Sequence, residues 1–279
     1  MDNVELLELE EVDFKVLLEA IFDRYGYDFR KYNFAHVKRR LKRRLFFENM
    51  ECISDLRKKI INDEEFFKII LHDLSINITE MFRYPLFFKE IREGVVPILK
   101  TYPSVRIWHA GCSTGEEVYS MAILLKEEGL LNRTKIFATD FNSDVLEVAK
   151  SGIYPIRDVK KWTRSYQDSG GKESFSKYYT ARYNSVIFDS ELVKNVTFSE
   201  HNLVHDKSFM EVHLVICRNV LIYFNSDLQT EVIELFYDSI KPGGFLGLGD
   251  KENVRASHLM SSFDVFSKSN KIFKKKLLR

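Results

Sequence analysis

In the first 75 residues, apolar positions recur at helical spacing. Phe14, Leu17, Leu18, Ile21, Phe22 and Tyr25 mark one face of a first helix, and Gly26 follows as its stop. Phe34, Val37, Leu41 and Leu45 form the apolar stripe of a second, while Lys38, Arg39, Arg40, Lys42, Arg43 and Arg44 fill its other faces. Residues 54–61 and 64–74 predict a third and a fourth helix. The pattern therefore predicts an all-helical domain over residues 1–75.

Beyond residue 85 the pattern alternates. The spacing predicts helices over 95–101, 115–128, 143–151 and 227–240, the last stopping at Lys241-Pro242-Gly243-Gly244. Short apolar runs predict strands over 105–110, 135–139, 196–200, 212–216 and 245–249, and an antiparallel hairpin from 263–267 and 271–276. Repeated β-α-β units imply an α/β fold over residues 76–279, an open parallel sheet covered by helices. About forty residues between Gly152 and Val196 fit neither period. A structureless loop of that length is uncommon in a compact domain, so a small inserted β subdomain is expected over about 156–195.

Composition narrows the classes. At 279 residues, with 45% hydrophobic and 14% aromatic positions, the chain can bury a core, which excludes wholesale disorder. Lys and Arg number 42 against 41 Asp and Glu, and a net charge of +1 gives no global electrostatic case for nucleic acid or for a membrane surface. No apolar run approaches the roughly twenty residues of a membrane span. The stretch from Met1 to Glu11 is acidic and lacks the basic-then-apolar order of a signal peptide. Cys52, Cys112 and Cys217 form no CxxC pair and are odd in number, which fits reduced thiols in a cytoplasm. His201 and His205 sit on a strand end and a loop rather than one helical face, so no metal site is expected.

In an open α/β sheet a ligand lies outside the carboxyl ends of the strands. The first such turn reads His109-Ala110-Gly111-Cys112-Ser113-Thr114-Gly115-Glu116-Glu117. Gly111 and Gly115 allow close backbone approach, but the turn is neither a GxGxxG fingerprint nor a phosphate loop. Glu116 and Glu117 open the next helix, where they either favour its dipole or meet a cationic ligand; they repel pyrophosphate in both cases. The second strand ends at Asp140, positioned to accept ribose hydroxyls, or else to cap a helix for which Asn142 and Ser143 compete. A cofactor with a nucleoside, a positive charge and no phosphate is S-adenosylmethionine. A further strand ends Cys217-Arg218-Asn219-Val220-Leu221-Ile222-Tyr223-Phe224. Arg218 and Asn219 are costly to bury unpaired, whereas Tyr223 and Phe224 read either as rim or as packing residues.

Together these residues resemble the CheR family of chemotaxis-receptor protein-glutamate O-methyltransferases. The resemblance spans nearly the whole chain. Its most specific segments are Asn77-Ile78-Thr79-Glu80-Met81-Phe82-Arg83 and the Arg218-to-Phe224 stretch, joined by Thr139-Asp140, Ser151-Gly152-Ile153-Tyr154 and Asn202-Leu203. It implies a Rossmann-like class I methyltransferase sheet with an N-terminal all-helical domain and a small inserted β subdomain. It also implies S-adenosylmethionine as cofactor, with S-adenosylhomocysteine as product. Asn77, Thr79, Arg83, Gly111, Glu117, Asp140, Asn202, Leu203, Arg218 and Asn219 would bind that cofactor, Glu117 at its amino group, Asp140 at the ribose, Asn202 and Leu203 at the adenine. Arg83 and Tyr223 would border the transferring methyl. The implied partners are methyl-accepting chemotaxis receptors, docked on the basic helix by a cytoplasmic monomer that neither binds nucleic acid nor inserts into a membrane. One departure stands out: where relatives carry Gly-x-Ser-Glu, this chain has Gly249-Asp250-Lys251-Glu252.

A receptor glutamate is already ionised at neutral pH, its reference pKa being about 4.3, so no general base is required. Two rivals stay open on the sequence. One is a methyltransferase for another acceptor such as RNA; the other is a non-catalytic signalling module that binds the same cofactor.

Overall fold

The computed structural model describes residues 3–75, 77–208, 210–254 and 258–277. Met1 and Asp2 of the acidic amino terminus, Ile76 at the expected domain boundary and the final Arg279 lie outside them. Among the described residues no helix is long and apolar enough to cross a membrane.

The described residues before 77, together with Ile222–Gln229, form one compact unit. Its helices are α1 (Asn3–Tyr25), α2 (Phe34–Phe47), α3 (Ile53–Asn62) and α4 (Glu64–Leu74). Phe14, Leu17, Leu18 and Ile21 of α1, Val37 and Leu41 of α2, Leu56 and Ile60 of α3 and Ile70 of α4 are buried. Gly26 takes the left-handed φ of 77° that ends α1, and its N–H donates to the Phe22 carbonyl. Asp63 caps α4 by accepting the Phe66 N–H at 3.0 Å. The Asn33 N–H, at the start of α2, donates to the Tyr223 carbonyl at 2.8 Å, and Tyr32 bridges Phe224. These bonds tie the Ile222–Gln229 segment to the helical unit.

The basic face of α2 differs from its sequence reading. Arg44 Nε donates to Asp73 Oδ2 at 2.7 Å and Nη1 to Glu48 at 3.3 Å, while Arg40 Nη1 donates to the Asp73 carbonyl. Both arginines are spent inside the unit, holding α2 to α4. They project from the flank of the buried Val37/Leu41 stripe, within reach of the α4 carboxyl end, which carries partial negative charge. Arg39, Lys42 and Arg43 are exposed.

Asn77–Leu221 and the residues from Thr230 onward form the second unit. A helix starts at Pro85, earlier than the apolar spacing predicts. It runs as α5 (Pro85–Glu90), a π turn (Ile91–Val95) and α6 (Val96–Leu99). Pro85, with its preset φ, opens it. Then come β1 (Val105–Ala110), α7 (Glu116–Glu127), β2 (Thr134–Asp140), α8 (Ser143–Ser151), β3 (Ile153–Pro155) and α9 (Val159–Asp168). They are followed by β4 (Tyr179–Arg182), β5 (Ser185–Phe188), β6 (Val196–Glu200), β7 (Val212–Cys217) and α10 (Ser226–Ser239). The last strands are β8 (Ile240–Leu248), β9 (Phe263–Ser267) and β10 (Ile272–Lys275).

Seven strands lie in the order β6-β2-β1-β7-β8-β10-β9. The first five pair in parallel, and β10 pairs antiparallel with both β8 and β9. This is the Rossmann-like methyltransferase sheet. Chain order reverses between β1 and β7, which puts the ligand crevice at the carboxyl ends of those two strands. One strand differs from the sequence reading: Pro242-Gly243-Gly244 does not precede β8 but lies within it. Ile240 faces Val212 and Phe245 faces Leu214, so the extra residues bulge out of register. Gly243 has φ 80°, and a Cβ on Gly244 would come 2.8 Å from the His213 carbonyl oxygen.

Strands β3, β5 and β4 form a separate antiparallel sheet in that order. Helix α9 belongs to the same region and buries only Trp162 and Tyr166, an apolar face too narrow to register as a helix in the sequence pattern. The region is anchored through the end of α7. Glu127 accepts from the hydroxyls of Tyr166 and Tyr178, the latter at 2.8 Å, and from Arg92 Nη2 at 2.6 Å. Burial alone would push the Glu128 carboxyl up, but Lys172, Lys100 and Arg92 outweigh it and hold it down at about 2.

Candidate active site

The loop after β1 is built to be shaped by its glycines. Gly111 has φ 77° and a Cβ there would stand 2.6 Å from Val220 Cγ2; Gly115 has φ 92° and a Cβ would stand 2.8 Å from Ala149 Cβ. Neither position admits another residue without displacing a neighbour. The Ser113 N–H donates to Asp140 Oδ2 at 2.9 Å and the Asn142 N–H to Oδ1 at 3.1 Å. Asp140 thus ties the ends of β1 and β2 together, while Asn142 itself caps α8 through the Asp144 N–H at 3.0 Å. Burial pushes the Asp140 carboxyl up, against those backbone donors. The Phe141 N–H bonds it as well, and of a carboxylate's roughly four lone-pair sites these three backbone donors leave room for a ribose hydroxyl.

On the other side of the loop, Glu117 joins three elements. Its Oε1 lies 3.0 Å from His109 Nδ1 on β1, and its Oε2 accepts from Arg218 Nη1, after β7, at 3.0 Å. Burial opposes ionisation of Glu117, but His109 and Arg218 together hold its carboxyl below the usual range. Arg218 also donates from Nη2 to the Arg83 carbonyl at 3.0 Å, and its guanidinium carbon sits 4.1 Å from the centre of the Phe87 ring. One buried guanidinium thereby fixes the linker carrying Arg83 against the carboxylate on α7. The linker is fixed a second time, because Phe82 is fully buried and its N–H donates to Ser120 Oγ at 2.8 Å.

Glu252 holds the strand-end loop after β7. It accepts the N–H groups of Asn219 at 2.9 Å, Val220 at 2.8 Å and Gly249 at 2.6 Å. Asn219 takes φ 62°, a left-handed conformation that asparagine tolerates better than most residues. Lys251, the departure from the family's serine, is exposed.

The remaining expected residues are placed as follows. Asn77 and Thr79 are half-buried on the linker; Arg83 is half-buried, with Nη1 donating to the Ile78 carbonyl at 2.9 Å. Asn202 and Leu203 follow β6, where the His201 N–H donates to the Asp140 carbonyl at 3.1 Å, so the segment is pinned beside the second strand end. Asn202 Oδ1 accepts the Val204 N–H at 3.0 Å. Tyr223 groups with the helical unit, its ring 6.1 Å from that of His36. His109 and Ser113 were not singled out by the sequence reading. The usable signal was a histidine in an otherwise apolar strand, next to a glycine turn. No group of three or more His, Cys, Asp or Glu placed to hold a metal occurs among the described residues.

Four side-chain atoms around this crevice are buried with no partner among the described residues: His109 Nε2, Ser113 Oγ, Arg218 Nε and Asn219 Oδ1. Buried polar atoms are rarely left unpaired in a finished structure, so a set of them gathered on the β1 and β7 loops suits a polar ligand. The carboxylates Glu117 and Asp140 lie nearby, with no phosphate-binding lysine in the loop. That combination fits a cationic nucleoside.

A family model described as CheR methyltransferase, SAM binding domain, matches residues 77–271, and its companion, the CheR all-alpha domain, matches residues 12–75. The chain belongs to the CheR methyltransferase family. It is therefore a SAM-dependent methyltransferase. A Pseudomonas putida protein that goes by the name methyltransferase Cher3 is 47% identical over 95% of this chain and 97% of its own length. The chemotaxis protein methyltransferases of Salmonella typhimurium and Escherichia coli are 30% and 28% identical over 93% and 94% of this chain and 89% and 91% of theirs. Among solved structures, PKMT2 of Rickettsia typhi in complex with AdoHcy matches with a TM-score of 0.32 and 11% identity. That match covers 52% of this chain and 21% of PKMT2, a likeness too low to carry an argument. Within the CheR frame the residues are suited to the cofactor: Glu117 to an ammonium, Asp140 to a ribose, Asn219 and Ser113 to further hydrogen bonds.

Proposed function

We propose that this protein methylates glutamate side chains of chemotaxis receptors. The observation that carries the reading is Arg83. Its carbonyl is pinned by Arg218, and among the described residues its guanidinium makes a single hydrogen bond, to the Ile78 carbonyl. Nε and Nη2 remain to receive an acceptor carboxylate in the two-pronged geometry that arginine favours. The names of the Salmonella and Escherichia relatives support a chemotaxis role.

When bound, S-adenosylmethionine supplies an electrophilic methyl group on a sulfonium. Asn77, Thr79, Gly111, Glu117, Asp140, Asn202, Leu203, Arg218 and Asn219 would hold it, Glu117 through the ammonium and Asp140 through the ribose. Arg83 would orient the acceptor oxygen. A glutamate of ordinary pKa, about 4.3, arrives already ionised, so the chain needs only to place it and to exclude water.

Docking falls to the exposed part of α2, Arg39, Lys42 and Arg43, against an acidic receptor surface. Charge steering makes the encounter sensitive to salt, with a screening length of about 8–10 Å at physiological ionic strength. The division into a docking domain of residues 1–75 and a methyltransferase domain of 76–279, with an insert at about 156–195, belongs to the same reading. So does a cytoplasmic monomer, for which three unpaired cysteines are suited.

The test is transfer of radiolabelled methyl to receptor-containing membranes, scored by methanol released with alkali. Base-labile label on a receptor-sized band is the expected result. Label that resists alkali, or its appearance on RNA, overturns the acceptor; cofactor binding without any transfer turns the protein into a signalling module. Full turnover by Arg83→Ala with unchanged cofactor affinity removes Arg83 from its role.

A further inference from the structure

His109 is fully buried at the carboxyl end of β1, one residue before the loop begins, and no step in the proposed transfer uses it. Its Nδ1 lies 3.0 Å from Glu117 Oε1. An ionised carboxylate can only accept, so Nδ1 carries the proton of this bond, and in the neutral ring Nε2 is then a bare acceptor. Nε2 has no partner among the described residues. Glu117 is held from two sides, by a ring on β1 and by the Arg218 guanidinium at 3.0 Å from the other oxygen. Neither oxygen can swing without losing a partly buried hydrogen bond.

We propose that His109 is a positioning residue for the cofactor's amino-acid end: it fixes the Glu117 carboxylate in the one orientation that receives an ammonium, and so sets cofactor affinity rather than transfer rate. The logic is that of a ligand oriented from behind, where a hydrogen bond to one oxygen aims the other lone pairs. This rests on the reading of Glu117 as the ammonium's partner. The bond contributes only where the ligand carries an ammonium. Binding of the nucleoside half, which meets Asp140 instead, does not depend on it.

The experiment is calorimetry on the full chain with two ligands, S-adenosylhomocysteine and 5′-methylthioadenosine, the second lacking the amino-acid end. His109→Phe keeps a ring and removes the donor. It is expected to weaken S-adenosylhomocysteine about tenfold or more, the loss typical of a hydrogen bond to a charged group, and to leave 5′-methylthioadenosine within twofold. His109→Asn places an amide N–H near the position of Nδ1 and is expected to restore most of the affinity, whereas His109→Gln, whose amide reaches instead toward Nε2, is not. That pair decides the matter even where His109→Phe fails to fold. In steady state the KM for S-adenosylmethionine rises in the Phe and Gln variants while kcat stays within about twofold. Equal weakening of both ligands, or equal behaviour of Asn and Gln, overturns the proposal and leaves His109 a packing residue. Glu117→Gln serves as the control for the underlying reading. Loss of S-adenosylhomocysteine binding in Glu117→Gln but not in His109→Phe defeats His109 alone; no loss in Glu117→Gln defeats the assignment of Glu117.

Discussion

Glu252 receives the backbone N–H of Asn219 at 2.9 Å, and with the same carboxylate it receives those of Val220 and Gly249. The loop that carries Arg218 and Asn219 is thus moulded by a side chain 33 residues away in sequence. Glu252→Ala takes the acceptor from these donors and from the Leu221 N–H beside them. Unsatisfied buried groups cost about 1–3 kcal/mol each, with relaxation and water recovering part, so a loss of about 2–4 kcal/mol is expected. A fall in the urea midpoint at constant slope, together with weaker S-adenosylhomocysteine binding, checks it. Unchanged binding in a destabilised variant would mean that the loop keeps its shape without the clasp.

Lys251, beside that clasp, is exposed and should matter little. Lys251→Ser, which restores the residue expected from the family resemblance, is expected to change cofactor affinity less than twofold by calorimetry. A larger change would place the side chain at the crevice.

The two kinds of arginine on α2 should separate cleanly. Arg44→Ala breaks the pairs with Asp73 and Glu48 and is expected to lower stability by about 0.5–1.5 kcal/mol, the range for partly exposed charged hydrogen bonds. Reversing Arg39 and Arg43 to Glu leaves the melting temperature nearly unchanged and lowers receptor methylation most at low salt. Equal stability losses in both sets would contradict the assignment of Arg44 to the interior and Arg43 to the surface.

The insert should come loose when its anchor is cut. Arg92 and Glu127 form a pair with side-chain exposures of 6% and 2%, so Glu127→Ala leaves the buried guanidinium with Glu128 alone and takes the acceptor from the Tyr166 and Tyr178 hydroxyls. Because Glu128 still pairs with Arg92, the loss is expected to fall below the about 3–5 kcal/mol of a buried charge left wholly uncompensated. Limited proteolysis is expected to cut first within 157–195, before the seven-stranded sheet is attacked. Uniform cleavage would mean that the pair supports the sheet as a whole.

Acid should act through the same cluster. The folded Glu128 carboxyl is held at about 2, below the ordinary value of about 4.3, so its contribution is complete above that ordinary value and fades as pH falls toward 2. Glu128→Gln lacks this dependence. Its melting temperature should be lower than that of the parent at pH 7 and converge on it as pH drops. Parallel curves would remove Glu128 from the acid response.

Much of this was legible in the chain itself. Local periodicity marked α4, α8, β1, β6 and β9 at their observed ends, because a helix or a strand buried on one side writes its period into nearest neighbours. Gly111, Gly115, Glu117, Asp140, Arg218 and Asn219 were legible as candidates because glycines and polar or charged residues at strand ends have few structural uses. The β8 bulge was not, since Pro242-Gly243-Gly244 spells a turn locally, and only pairing with β7 decides that the strand continues through it. Nor could spacing tell Arg40 and Arg44 from Arg39 and Arg43: which side of a basic helix meets a carboxylate is set by the packing of α2 on α4, where Asp73 waits. His109 and Glu252 act across distant sequence, on Glu117 and on the Asn219 loop. The residue types were written in the chain, but hydrogen bonds reach only about 3 Å, and which donors come that close to which carboxylates was decided when the sheet brought its strand ends together.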